Sequence, residues 1–256
     1  MDIKEKLQNG QTIKGCMISE LYTPNLSRMF YGLNYDFLLL DCEHGYFDMT
    51  QAANLIGVGD GYDFPVLVRV AQHSLHTVIK YLDMGARGIL LANVTNADQV
   101  QELVRMCLYA PDGDRSVSTF RAHTGYRNHD IPGLMRRAND RNLVIAQIES
   151  LDSVHVIDDI VSINGLDGVL IGPNDLTQHM GVFGQYDHPD VLKAIEKVAL
   201  AAAAHNKWSG IITADEKLLR FCAGLGMHFF SVGSELSMLA QGAKDIMEKI
   251  DNITTI

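Results

Sequence analysis

The sequence has few cysteines and no cysteine motif. Its 256 residues include four, and none lies in a CxxC pair or at a Cys/His spacing that suits a metal. Disulfide scaffolds and structural zinc sites depend on such patterns, so neither is indicated. We expect the thiols to be reduced, mostly buried and chemically inert: Cys16, Cys42, Cys107 and Cys222.

Long apolar runs and an excess of positive charge are also missing. No stretch approaches the roughly 18 apolar residues of a membrane-spanning helix. The first ten residues, MDIKEKLQNG, lack the apolar core of a secretory signal. The formal net charge is -10, whereas nucleic acids and anionic membranes bind basic surfaces. We therefore expect a cytoplasmic protein that binds a small molecule, and neither nucleic acid nor membrane.

No tract rich in proline, glycine or serine divides the chain, which favours one domain over residues 1–256. Eight short apolar segments predict strands: TIKGCMI, DFLLLDC, PVLVRV, GILLANV, LVIAQIE, GVLIG, WSGIIT and FFSVGS. Between them lie segments with helical periodicity, such as SLHTVIKYLDMG, NADQVQELVRMCLYA, HPDVLKAIEKVALAAAAH and DEKLLRFCAGLG. Eight βα units in about 250 residues are typical of a TIM (β/α)8 barrel. A doubly wound open sheet is the alternative, but no glycine-rich dinucleotide fingerprint follows the first strand.

Carboxylates stand where two neighbouring strands end, which in a barrel is the active-site face. Glu149 ends the fifth strand, and Gln147 lies two residues earlier, so both can point to the same side. Asp175 follows the sixth strand. Two such carboxylates could bind a divalent metal and leave most of its coordination sites to substrate and water. The alternatives are solvated loop-entry residues for the first pair and a plain helix N-cap for Asp175.

A histidine and an arginine stand at the ends of the second and third strands. His44 follows the apolar run Phe37–Leu40 and could act as a general acid or base. Arg69 directly follows the apolar residues VLV, and because its side chain stays charged we expect an anionic partner beside it. The alternatives are a hydrogen-bonded structural histidine and a buried ion pair of Arg69 with Asp41 or Glu43.

Several short motifs, in barrel order over nearly the whole chain, resemble those of the metal-dependent class II pyruvate aldolases in the HpcH/HpaI aldolase and citrate lyase family. They are LLLDCEHG, PVLVRV, YLDMGARGILL, QIES, LDGVLIGPNDL, HPDVLKAI, HNKWSGI and FFSVGSEL. The likeness is to enzymes that cleave 4-hydroxy-2-oxo-heptanedioate or 2-keto-3-deoxy-sugar acids. It implies reversible cleavage of a 4-hydroxy-2-oxo acid to pyruvate and an aldehyde.

The resemblance implies a role for each site residue. Glu149 and Asp175 would bind Mg²⁺, Mn²⁺ or Co²⁺, and Arg69 would lie over the enolate oxygen. His44 would transfer the proton. Pyruvate would be held by Gln147 together with the turn formed by Gly172, Pro173, Asn174 and Asp175.

The resemblance also implies an assembly, a homo-hexamer built as a trimer of dimers in which the last helix is exchanged between subunits. That helix would be ELSMLAQGAKDIMEKI, after Ser234; packing on its own barrel is the alternative. The carboxylate that makes His44 more basic would be Asp83, which lies near a helix C-terminus and could act across a subunit interface. Asp41 is the local alternative.

Three segments depart from the family pattern and are expected to shape the aldehyde side. They are SELYTPN, Ala92-Asn93 in place of the usual proline, and Arg115-Ser116 in place of the usual Arg-Gly pair. Other activities remain open at this point. They are a CoA-ester lyase or an oxaloacetate decarboxylase of the same superfamily, or a barrel that binds a metabolite without catalysis.

Overall fold

The computed structural model describes residues 2–71, 76–127 and 130–254. Eight parallel strands form a closed barrel in which each strand pairs with the next in sequence and the last pairs with the first. All eight predicted strands are present, and the prediction of a single-domain TIM barrel is confirmed. The strands are β1 (Ile13–Ile18), β2 (Phe37–Asp41), β3 (Val66–Val70), β4 (Gly88–Leu91), β5 (Leu143–Ile148), β6 (Gly168–Ile171), β7 (Trp208–Ile212) and β8 (Phe229–Ser234).

Helices lie between the strands, as the periodicity predicts. Of the segment SLHTVIKYLDMG, the residues Ser74 and Leu75 lie outside the described ranges, and the helix there begins at Val78. The α-helices are α1 (Ile3–Gln8), α2 (Leu26–Gly32), α3 (Met49–Gly61), α4 (Val78–Met84), α5 (Ala97–Cys107), α6 (Ile131–Arg141), α7 (Leu151–His155), α8 (Ile157–Val161), α9 (Pro173–His179), α10 (Pro189–Ala204), α11 (Glu216–Gly224) and α12 (Glu235–Thr254).

The apolar residues of each strand divide between two cores, because successive side chains point to opposite faces. Residues such as Leu39, Leu67 and Ile145 fill the barrel interior, whereas their neighbours pack beneath the helices. Helix α1 closes the amino end of the barrel with Ile3 and Leu7, which join the interior core. The opposite end, where the strands finish, is therefore the open one, and we call it the mouth.

The interior leaves no room for side chains at some strand positions. A Cβ atom on Gly210 would lie 1.7 Å from the carbonyl oxygen of Phe229, on the neighbouring strand. The rings of Phe37 and Phe229 meet edge to face, with centroids 5.0 Å apart. Glycine at 210 therefore lets β7 and β8 close against the aromatic layer.

Helix α12 has one buried residue, Glu235, at its first position. Apolar side chains further along it are exposed, namely Leu239, Ile246, Met247, Ile250 and Ile253. The docking of this helix on another subunit stays a prediction.

Nowhere in the described ranges does a helix combine the length and the apolar composition that crossing a membrane requires. The four cysteines are free thiols, and all but Cys42 are buried.

Candidate active site

The alternation that fills the barrel with apolar residues also delivers polar ones to its mouth. On β5, Leu143 and Ile145 point into the interior core, so the next positions of the same parity, Gln147 and Glu149, point inward as well. Both are buried, with 1% and 2% of their surface exposed. On β2, Asp41 lies two residues after Leu39, which points into the interior, so Asp41 points inward too. The polar residues thus form the uppermost layer of the barrel interior.

Asp41 and Arg69 form a buried ion pair at this level. They are register partners on β2 and β3. Arg69 donates from Nε to Oδ1 of Asp41 at 3.0 Å and from Nη2 to Oδ2 at 2.7 Å. Burial works to raise the pKa of Asp41, but the hydrogen bonds and charge of Arg69 outweigh it and hold that pKa below its ordinary value. Asp41 is therefore a carboxylate that anchors the arginine.

The turn after β2 carries Glu43 and His44. Their backbone N–H groups donate to Oδ1 of Asp41 at 3.0 and 3.2 Å. The imidazole of His44 is 72% exposed, and its Nε2 lies 4.0 Å from Oε2 of Glu43. Asp41 thus contacts the backbone of His44, and among the described residues of one chain the carboxylate near its ring is that of Glu43. The same Glu43 oxygen lies 3.4 Å from Nε of Arg69.

Glu149 is held by two donors. The backbone N–H of Asn93 donates to its Oε1 at 2.6 Å, and the side-chain amide of Gln147 donates to its Oε2. The pKa of Glu149 is raised to about 7, mainly by burial; the negative charges of Asp175 and Glu43 contribute to the rise, while the Asn93 bond and the charge of Arg69 oppose it. A nearby cation would stabilise the ionised form of this buried carboxylate.

Asn93 links two of these acids. It adopts a left-handed backbone conformation, with φ of 55°. Besides the backbone bond to Glu149, its Nδ2 donates to Oε1 of Glu43 at 2.5 Å. The sequence marked this residue only as a departure from the family pattern. Its position just after β4, together with the tolerance of asparagine for left-handed conformations, was the available signal.

Asp175 is the third residue of α9, and Gly172 is the N-cap. A Cβ atom on Gly172 would lie 2.5 Å from Oε2 of Glu149 and 2.7 Å from Nε2 of Gln147, so any other residue there would displace these two side chains. Asp175 is half-buried, and its charge raises the pKa of Glu43 as well as that of Glu149. The structure thus brings the two predicted metal ligands to one place. Asn174, between Pro173 and Asp175, is exposed and accepts a hydrogen bond from the Tyr186 hydroxyl.

The residues at the mouth fit a divalent cation. Among the described residues at the mouth, carboxylates outnumber the cationic side chain of Arg69, whose charge is already shared with Asp41 and Glu43. Oε1 of Gln147 is buried and has no hydrogen-bond partner among the described residues. In the same part of the chain, no three His, Cys, Asp or Glu side chains converge closely enough to hold a metal by themselves. Glu149 and Asp175 would therefore share the ion with oxygen atoms from substrate and solvent.

Asp83 lies away from this site in the same chain. It is near the C-terminal end of α4, which runs back from the mouth, and its Oδ1 accepts from Nη2 of Arg115 at 2.7 Å. Its approach to His44 across a subunit interface stays a prediction. Arg115 is buried against Asp83 and the ring of Tyr109, 4.5 Å from the ring centroid. Within one chain, Arg115 is therefore not part of the mouth.

Comparison with known proteins gives the same fold and places the chain in a family. Over 250 residues it is 32% identical to a hydroxypyruvate/pyruvate aldolase of Roseobacter denitrificans, covering 96% of this chain and 95% of that protein. Over 218 residues it is 32% identical to a 4-hydroxy-2-oxo-heptane-1,7-dioate aldolase of Escherichia coli, covering 85% and 83%. The crystal structure of an HpcH/HpaI aldolase from Desulfitobacterium hafniense superposes with a TM-score of 0.91 at 30% identity, covering 98% of this chain and 97% of the other. The family model described as HpcH/HpaI aldolase/citrate lyase matches residues 16–242, and the chain belongs to that family.

Proposed function

We propose that this protein is a divalent-metal-dependent pyruvate aldolase. It would cleave a 4-hydroxy-2-oxo acid reversibly to pyruvate and an aldehyde. The observation that carries the proposal is the buried Glu149 carboxylate, with a pKa raised to about 7, next to Asp175 and the unpaired amide oxygen of Gln147. The family membership and the aldolase activities of the two relatives support the same reaction.

Glu149 and Asp175 would hold the ion, which would be Mg²⁺, Mn²⁺ or Co²⁺ because hard oxygen ligands select that group. When bound, it would supply Lewis-acid stabilisation of the negative charge that develops on the keto oxygen. Gln147 and the turn Gly172–Asn174 would orient the pyruvate half of the substrate. Because these groups lie on β5 and β6 and just beyond them, they define one side of the mouth.

The opposite side of the mouth carries the groups for proton transfer. His44 is exposed there and would take the proton of the C4 hydroxyl as the C3–C4 bond breaks. The bonding electrons pass into the enolate of pyruvate, and a proton added at C3 then gives the methyl group. Arg69 is a permanent cation held in one orientation by Asp41, and it would stabilise the enolate oxygen.

The substrate class that we propose is a hydroxy-oxo-heptanedioate or a 2-keto-3-deoxy-sugar acid. A panel of aldehydes incubated with pyruvate and each of the three metals, read by product mass, tests this directly. The expected result is an aldol adduct that forms with metal and is absent in EDTA. Adducts formed equally well in EDTA would overturn the metal dependence, and turnover of malyl-type CoA esters alone would identify a CoA-ester lyase.

The proposal includes a homo-hexamer in which Asp83 of one subunit supports His44 of another. Light scattering should then give six times the mass of the chain. Asp83→Asn should lower kcat without changing the affinity for metal, because Asp83 would act on the histidine and not on Glu149. A monomer with full activity would rule this arrangement out.

A further inference from the structure

Glu235 binds a run of three consecutive backbone N–H groups at the other end of the chain. It is the first residue of α12, directly after β8, and 5% of its surface is exposed. Its Oε1 accepts from the N–H groups of Ser19 at 2.8 Å, Glu20 at 2.7 Å and Leu21 at 3.1 Å. Hydrogen bonds to an ionised acceptor are about twice as strong as neutral ones. The segment Ser19–Leu21, which follows β1 at the mouth, is therefore firmly tied to α12.

That segment in turn supports the turn that carries His44. The carbonyl oxygen of Ser19 accepts the N–H of Tyr46 at 3.1 Å. Gly45 packs closely between the backbones of Asp41 and Ser19. A Cβ atom at this position would lie 2.2 Å from the carbonyl oxygen of Asp41 and 2.7 Å from that of Ser19. A shift of Ser19 would therefore act directly on Tyr46, at the end of the turn that carries His44.

Within one chain, the imidazole of His44 has little to hold it apart from this backbone. It is 72% exposed, and among the described residues the carboxylate near it is 4.0 Å away, beyond hydrogen-bonding distance. Within one chain, the position of the ring therefore follows the position of the turn. Asp41 fixes one end of the turn through two N–H groups, and Ser19 fixes the other.

In the described ranges, the second oxygen of the Glu235 carboxylate is unpaired. Oε2 of Glu235 is buried and has no hydrogen-bond partner in the part of the chain that the structure describes. Burying an unpaired polar oxygen is unfavourable. Glu235 thus stands at the junction of the two mouth segments that follow β1 and β8, with one oxygen bound to the first of them.

We propose that Glu235 is a positioning residue for proton transfer, which fixes His44 through Ser19 and the turn at Gly45. This inference rests on the proposed aldolase function, in which His44 transfers the proton. The contacts that carry it do not include Glu149 or Asp175. In the barrel, β1 lies opposite β5, and β7 separates β8 from β6.

A double-mutant cycle with His44 tests the proposal. Glu235→Ala should lower kcat/KM about 10- to 100-fold, the loss expected when a reacting group is displaced by about 1 Å. In a His44→Ala background the same change should cause no further loss, because the effect passes through His44. Mg²⁺ affinity, measured by calorimetry, should stay the same.

Two further variants serve as controls. Glu235→Gln keeps an accepting oxygen without the charge and should show a smaller loss of kcat/KM. Glu248→Ala, on the exposed part of α12, is the control for removing one negative charge.

Hydrogen–deuterium exchange supplies a measurement that does not depend on activity. In Glu235→Ala, or in Glu235→Gln if the alanine variant does not fold, the backbone should exchange faster both at residues 19–21 and at residues 44–46. Faster exchange confined to residues 19–21 would overturn the link to His44, as would losses of kcat/KM that add fully in the His44→Ala background. Failure of the proposed function has a different signature: the wild-type protein would show no metal-dependent cleavage, whatever the exchange pattern.

Discussion

Asp41 and Arg69 face each other on neighbouring strands and share two hydrogen bonds, from Nε to Oδ1 at 3.0 Å and from Nη2 to Oδ2 at 2.7 Å. Their register on β2 and β3 places them side by side, and 2% and 7% of their surfaces are exposed. The guanidinium is planar, so two parallel bonds fix its orientation as well as its position. The arginine at the mouth is therefore a cation of fixed direction.

Breaking this pair should be costly. Asp41→Asn removes the negative charge that pairs most closely with the buried Arg69 and leaves it the longer contact with Glu43, at 3.4 Å. The free energy of unfolding should then fall by about 3 kcal/mol. Urea denaturation measures the change. Asp114→Asn is the matched control, because its partner Arg105 and Asp114 itself are both 64% exposed, and such pairs contribute at most about 1 kcal/mol. Equal losses in the two variants would show that the Asp41 pair has no special role.

The raised pKa of Glu149 should make the metal-free protein less stable as pH rises. An unfolded glutamate loses its proton near a pKa of about 4.3, whereas burial raises the folded value to about 7. Between these values the folded state binds more protons than the unfolded one, so stability declines with increasing pH. Melting temperatures from pH 4 to 8 should show this decline in the wild type, and Glu149→Gln should lack that part of it. Identical profiles would contradict the raised pKa.

Metal affinity should change in the opposite direction over the same range. The ion binds the carboxylate form, so its affinity should increase as pH rises towards and through about 7. Calorimetric titration with Mg²⁺ at several pH values measures this, and protons should be released on binding below pH 7. An affinity that is constant between pH 5 and 8 would argue against Glu149 as a ligand.

Asn93→Gly separates the two bonds that Asn93 makes. Glycine keeps the left-handed backbone and the N–H group that binds Glu149, but it removes the amide that holds Glu43. Metal affinity should be unchanged, while kcat should fall about 10-fold because a positioned group next to His44 is released. Asn93→Ala should add a loss of stability of about 1–2 kcal/mol, since alanine is strained at positive φ. Unchanged kcat in both variants would show that the bond to Glu43 is not used.

Lys4 should matter for stability and not for activity. Its Nζ lies 2.9 Å from Oδ1 of Asp167 and donates to the carbonyl oxygen of Asn142 at 3.0 Å, at the closed end of the barrel. Lys4→Met should lower the free energy of unfolding by about 3 kcal/mol because Asp167 loses its ion-pair partner, with kcat unchanged. Lys6→Met removes the pair with Asp36, in which the lysine is more exposed than Lys4, and should cost less, about 1 kcal/mol. A loss of kcat in Lys4→Met would contradict the separation of the two ends.

The barrel could be predicted from the sequence because its strands are short, nearly continuous apolar segments. The ends of these segments also predicted that Glu149, Gln147 and Asp175 lie at one end of the barrel. It left open which acid Arg69 would contact, since that depends on the register of β2 and β3. The bonds from Asn93 depend on a backbone conformation that residue types only permit. Contacts such as that of Glu235 with Ser19, 216 positions apart, arise only when the barrel closes.

The central claim is that Glu149 and Asp175 hold the ion that stabilises the enolate of pyruvate. Exchange of the pyruvate methyl protons in D₂O, followed by NMR, measures enolate formation without any aldehyde. We predict rapid exchange by the wild-type protein with Mg²⁺, Mn²⁺ or Co²⁺, and no catalysed exchange in EDTA or with Glu149→Ala. Exchange at the wild-type rate in EDTA, or by Glu149→Ala, would contradict the account.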